Sequence, residues 1–226
     1  VWTVAGTGGD LHQPADVIDM ANSGTSIKIF AGLAALRPFP VSFDGDESLR
    51  SRPMAHLLSA LEKLGVKTEA SFGRCPFTVE GPMTNGKTLV NGESSQYVTA
   101  ILLSAPFAEQ DTVVEVENLN EKPYVEITLG WMKRVGLNFT ASEDLTHFEI
   151  PGKQSIRPFE VTIPADFSTA TFPLVASAVT GCELQIRNLD FNDLQLVGQL
   201  QHQQFTTFPE VIFFQKLLQF IVRQVN

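Results

Sequence analysis

The chain has 226 residues, 43% apolar and 18% charged, enough for one large or two modest domains with real cores. Its 25 acidic and 16 basic side chains leave a net charge of −9, which argues against a general nucleic-acid or anionic-membrane binder. A few placed Arg and Lys side chains still allow a local basic cleft. Cys75 and Cys182 are too few for a disulfide scaffold and read as two thiols in a reducing cytoplasm. His12, His56, His147 and His202 are scattered without HxH or HExxH spacing, which speaks against a metal enzyme. No signal peptide or membrane span is expected.

In chain order, VWTVAG reads as the close of a strand whose unit lacks its front. NSGTS at 22–26 precedes a small-residue run, IKIFAGLAAL, that reads as a buried helix. DGDESLRSRPM reads as a charged loop leading into an amphipathic helix. Pro53 takes that helix's first position, and Met54, Leu57, Leu58, Leu61 and Leu64 share one face. Gly65 closes it, and VKTEASF and FTVEG follow as strands.

The order then returns. ESSQY at 93–97 precedes a second buried helix. EKPY opens a second amphipathic one, with Val125, Leu129, Met132 and Val135 on one face and Gly136 at its end. LNFTAS and FEIPG read as its strands. Gly81 and Gly152 lie 71 positions apart, as do Gly65 and Gly136, so the sequence repeats at about seventy residues. Two units run roughly 7–81 and 82–152. FSTAT at 167–171 starts a third, whose pattern fades after Asp193. The chain therefore reads as a piece of a larger protein. Its greasy end, FPEVIFFQKLLQFIVRQVN, reads as a helix packed on this chain or on a partner.

Each hydroxyl cluster has two readings. Ser, Thr and Asn cap helices because their oxygens accept orphan N–H groups. The same open N–H groups attract phosphate or carboxylate. The central Gly of NSGTS lets another group approach the backbone, and ESSQY holds more polar groups than one cap uses. Arg50, among Asp44, Asp46 and Glu47, reads as internally neutralised. Arg52 opens a helix, where a cation is disfavoured unless an anion is present, and Lys122 takes the same place in the next unit.

Five motifs in register (NSGTS, DGDESLRSRPM with LLSALEKLG, GESSQYVTAILLSAP, KPYVEITLGWMKRVG and IPADFSTATFPLVASAVTG) resemble the 5-enolpyruvylshikimate-3-phosphate synthase family over about residues 1–195. The UDP-N-acetylglucosamine enolpyruvyl transferases share that fold and are the second candidate. The resemblance implies an α/β (α+β) fold, with strand-helix-strand-helix-hairpin units around a pseudo-threefold axis in an inside-out barrel. Residues 1–160 would form an incomplete substrate-binding domain. Residues 161–226 would begin a further unit, either filling the vacant third place or standing apart, and end in the divergent tail.

The family moves the enolpyruvyl group of phosphoenolpyruvate to the 5-hydroxyl of shikimate 3-phosphate and uses no cofactor. By this resemblance Asn22, Gly24, Lys28, Arg52 and Gln96 would bind phosphoenolpyruvate. Ser94, Ser95, Gln96 and Tyr124 would bind shikimate 3-phosphate. No catalytic residue is expected in this chain. The expected partners are the two substrates and either a complementary polypeptide or a second copy of the chain through the tail. Nucleic acid and membrane are not expected partners, and the expected compartment is the cytoplasm. A non-catalytic anion-binding fragment and a pseudoenzyme are the rival readings. Two departures stand out. Lys28 replaces an Arg and loses its bidentate fork. Glu121 replaces a phosphate-binding Ser, where a carboxylate repels the ligand unless it turns away.

Overall fold

A computed structural model describes residues 3–188, and their contacts divide the chain between Pro158 and Phe159. The first compact unit contains two four-stranded sheets built to one plan. In the first half, β1 (Ile18–Asp19), α1 (Gly24–Ala34) and β2 (Val41–Asp44) make a parallel crossover. A short helix α2 (Glu47–Ser51) and then α3 (Ala55–Lys63) follow. The hairpin β3 (Lys67–Ser71) and β4 (Arg74–Glu80) closes the sheet in the order β1-β2-β4-β3. The second half repeats it with β5 (Lys87–Asn91), α4 (Ser95–Ser104), β6 (Thr112–Glu117), α5 (Lys122–Arg134), β7 (Thr140–Ala141) and β8 (His147–Ile150). That sheet runs β5-β6-β8-β7, again parallel, antiparallel, antiparallel. The seventy-residue repeat is thus a repeat of topology. In the second compact unit, α6 (Phe167–Thr180) forms where FSTAT predicted a helix.

The helices divide as their residue patterns require. α3 buries Leu57, Leu58, Ala60 and Leu61, with Met54 and Leu64 fully enclosed at its ends. α5 buries Val125, Thr128, Leu129 and Met132, again one stripe at helical spacing. α4 is covered on nearly every side, from Ser95 and Tyr97 through Leu102 to Ser104. Both halves share one apolar cluster that runs from Ile27 and Phe43 to Phe148 and Ile150. Gly65 and Gly136, with φ of +87° and +82°, end α3 and α5 in the left-handed conformation that glycine adopts without strain.

Three expectations need correction. Thr3–Gly6 form no strand and are exposed, and among the described residues no strand pairs with them. The stretch read as a charged loop contains α2, whose start is capped by the Asp46 carboxylate accepting from Leu49 N–H at 2.8 Å, while Leu49 anchors it in the core. Consequently α3 begins at Ala55, two residues after Pro53, and Arg52 lies in the link between two helices. Arg50 does hold Asp44 through both guanidinium contacts, at 2.8 and 2.5 Å, as the charge pattern suggested. Cys75 is buried and Cys182 exposed, both as free thiols. No helix among the described residues is long and apolar enough to cross a membrane. The tail beyond Asn188 lies outside the described residues.

One contact sets the spacing of the two buried helices. A Cβ added at Gly32 would lie 2.5 Å from the Ala100 carbonyl oxygen and 2.7 Å from Ser104 Oγ. Backbone is therefore pressed on backbone there. Gly32→Val should cost about 1–3 kcal/mol by overpacking, read as a lower urea midpoint.

A second expectation concerns pH. His147 on β8 faces Glu115 at 3.1 Å and Glu149 at 3.5 Å. The Glu115 contact first, and Glu149 second, hold its pKa above the ordinary 6.5. A raised folded pKa contributes stability that is fully present below about 6.5 and lost as pH rises through the folded value. The Tm advantage of the wild-type chain over His147→Asn should therefore shrink between pH 6 and pH 8.5.

Candidate anion site at two helix starts

α1 and α4 run side by side in the same direction. Gly32 meets Ala100, and one turn earlier on each helix Lys28 meets Gln96, with Nζ donating to Oε1 at 2.8 Å. A further turn up, Gln96 Nε2 donates to Thr25 Oγ1 at 2.8 Å. Two successive pairs in step leave both N-termini at the same end. The positive ends of both helices gather there.

At the α1 start, Ser23 is a plain N-cap whose Oγ accepts from Ser26 N–H at 3.2 Å. Gly24 follows and serves another purpose. A Cβ on it would come within 2.6 Å of Arg52 Nη1 and 3.6 Å of Lys28 Nζ. The bare backbone thus lets a guanidinium and an ammonium approach the same helix turn. Arg52 is held in place by Asn22, whose Oδ1 accepts from Nη2 at 2.8 Å. Asn22 Nδ2 in turn donates to Asp46 at 2.7 Å, which fixes its amide orientation from both sides.

Lys28 is 7% exposed, a buried ammonium. Burial, and next the nearby Arg52 charge, push its pKa below the usual 10.5, while Glu121 and Cys75 pull it back. Its head also lies 5.4 Å from the Tyr97 ring centroid, and Tyr97 is pinned by its hydroxyl donating to the Pro53 carbonyl at 2.8 Å. Lys28 and Arg52 hydrogen-bond to neutral amide oxygens. Among the described residues neither has an ion-pair partner. The two like charges disfavour one another, as the Lys28 pKa, lowered first by burial and then by Arg52, reflects.

The α4 start is filled differently. Ser94 is its N-cap residue but makes no side-chain cap bond. The cap comes from far along the chain: Glu121 Oε2 accepts from Ser95 N–H at 3.2 Å and from Ser95 Oγ at 2.8 Å. Glu121 has not turned away. Tyr124 stands 46% exposed on α5, and among the described contacts none ties it to the other site residues. Lys122 is the first residue of α5, as expected, whereas Arg52 ends α2 three residues before α3, so the two basic residues are not in equivalent places.

The geometry therefore joins Asn22, Gly24, Lys28, Arg52 and Gln96 in one contiguous set, with Ser95 beside Gln96. Thr25, Asp46 and Tyr97 were missed. Thr25 and Tyr97 sit inside the two hydroxyl clusters, and Asp46 opens the stretch read as a loop, yet their partners are distant in sequence.

The EPSP synthase (3-phosphoshikimate 1-carboxyvinyltransferase) family model matches residues 1–204. A 3-phosphoshikimate 1-carboxyvinyltransferase of Ruminiclostridium cellulolyticum is 42% identical over 196 residues, covering 86% of this chain and 46% of the relative. Those of Acetivibrio thermocellus and Methanocella arvoryzae are 40% and 38% identical, over 86% and 82% of this chain and 46% and 44% of theirs. An EPSP synthase structure from Acinetobacter baumannii shares the fold at a TM-score of 0.60 and 24% identity, covering 74% of this chain and 37% of that one. The chain spans under half the length of the relatives it matches. With the family model matching from residue 1 to residue 204, the chain belongs to the EPSP synthase family.

Proposed function

We propose that this chain forms the phosphoenolpyruvate side of an enolpyruvyl transferase site and that the intact protein makes 5-enolpyruvylshikimate 3-phosphate. The observation that carries the reading is the pair of cations, Lys28 and Arg52, converging on Gly24 at a helix start with only neutral hydrogen-bond partners. Phosphoenolpyruvate carries a phosphate and a carboxylate on the same carbon, which suits one fork, one ammonium and a helix start. Gln96, bonded to Lys28 and one residue from Ser95, stands between this seat and the α4 start. Ser94, Ser95 and Tyr124 would take shikimate 3-phosphate. Both substrates are charged metabolites, and the proposed compartment is the cytoplasm.

The reaction adds a proton to the methylene carbon of phosphoenolpyruvate. The 5-hydroxyl oxygen attacks its central carbon and gives up its proton to a base. Loss of the methyl proton then restores the double bond as the C–O bond to phosphate breaks. Such chemistry needs a positioned acid and base besides charge stabilisation. Gly24, Arg52, Gln96 and the serines are not proton shuttles at neutral pH, and the Lys28 ammonium donates to Gln96. The site residues here bind and orient, and the proton transfers belong to other groups of the intact protein.

Calorimetric titration tests the binding. Arg52→Ala and Lys28→Met should each weaken phosphoenolpyruvate binding by about tenfold to a hundredfold, the scale of one charge-assisted hydrogen bond. Lys28→Met should meanwhile raise the Tm, because a buried charge is replaced by an apolar chain. Undiminished binding by both variants contradicts the reading. The same assignment predicts no phosphate release by the 226-residue chain given both substrates, and turnover would contradict it.

A further inference from the structure

The two helix starts of the site are the same place in two repeats, yet only one is open. At α1 the charges nearest Gly24 are the cations Arg52 and Lys28, with the Asp46 carboxylate one hydrogen bond further out through Asn22. At α4 the first N–H and the first hydroxyl both donate to one carboxylate oxygen of Glu121. Ser95 is 3% exposed, so its donors have been taken out of water and must be satisfied by something negative or polar. Glu121 reaches them from the residue immediately before α5, and its own helix receives no side-chain cap from it. Its carboxylate thus sits against the positive end of one ten-residue helix while its backbone begins another.

An incoming phosphate ester would need those same donors. It would have to expel Glu121 or share the seat with it, and two anions in contact repel even though Glu121 itself is exposed and solvent screens part of its charge. A ligand without a phosphate at that place meets no such penalty.

Resting on the reading above, we infer that Glu121 is a specificity-determining residue, an internal anion that occupies the α4 seat and discriminates against the phosphate of the second substrate. Phosphate binding at α4 then requires the Glu121 side chain to leave Ser95. Shikimate and shikimate 3-phosphate differ only in that phosphate, so the ratio of their affinities isolates the effect.

In the full chain, Glu121→Ser and Glu121→Gln should raise the preference for shikimate 3-phosphate over shikimate by about tenfold or more, the scale of one hydrogen bond to a charged group. The Gln variant keeps an acceptor for Ser95 and removes only the charge, so it preserves the cap if the Ser variant does not fold. In parallel, inorganic phosphate should move the Ser95 amide resonance of the Gln variant and leave that of the wild-type chain in place. An unchanged or lower ratio, or a Ser95 amide indifferent to phosphate in the variant, overturns the inference. Phosphoenolpyruvate titration of the same samples separates the two failures. Arg52-dependent binding with no gain at α4 rejects the role of Glu121 alone, whereas no binding of either substrate by any variant rejects the parent reading too.

Discussion

Everything at the site depends on how closely α1 and α4 approach at Gly32. Any side chain there would collide with the Ala100 carbonyl, so the helices touch through backbone and their relative height is fixed. From that contact the next turn brings Lys28 to Gln96, and the turn beyond brings Gln96 to Thr25. Two linking residues, Asn22 before α1 and Arg52 between α2 and α3, complete the site. It is the end of a packed helix pair, held by an apolar cluster that both repeats share.

The repeats differ in how they treat the positive end so exposed. In the first, a serine caps the helix locally and a bare glycine leaves room for Arg52 and Lys28. In the second, a carboxylate from 26 residues away takes over the cap. The net result is one end carrying cations without a direct ion pair among the described residues and one end capped by a carboxylate, within a chain of net charge −9. Global acidity and local basicity coexist because Arg50, the other basic residue of that segment, is tied to Asp44. Arg52 escapes such pairing since Asp46 is engaged with Asn22 and the α2 start.

What was legible in the sequence was what is local. The apolar stripes of α3 and α5, the glycines that end them and the seventy-residue period all depend on neighbours a few positions away, and they appear as expected. The grouping of Asn22, Gly24, Lys28, Arg52 and Gln96 was reached through family resemblance, since contacts such as Lys28 to Gln96 span 68 positions. Two features escaped for related reasons. A string of Asp, Glu and Ser looks like a loop until a single core leucine, Leu49, turns it into a helix. The direction of Glu121 is a competition between solvent and a distant helix end, which no local pattern encodes.

The most direct measurement follows the backbone amides of the whole chain by NMR while phosphoenolpyruvate is added. Gly24 and Thr25 at the α1 start should move together with the Arg52 side-chain resonance, in one saturable process that weakens as salt rises. If those resonances stay still at saturating ligand, or shift only alongside scattered surface lysines, the two cations do not form a seat.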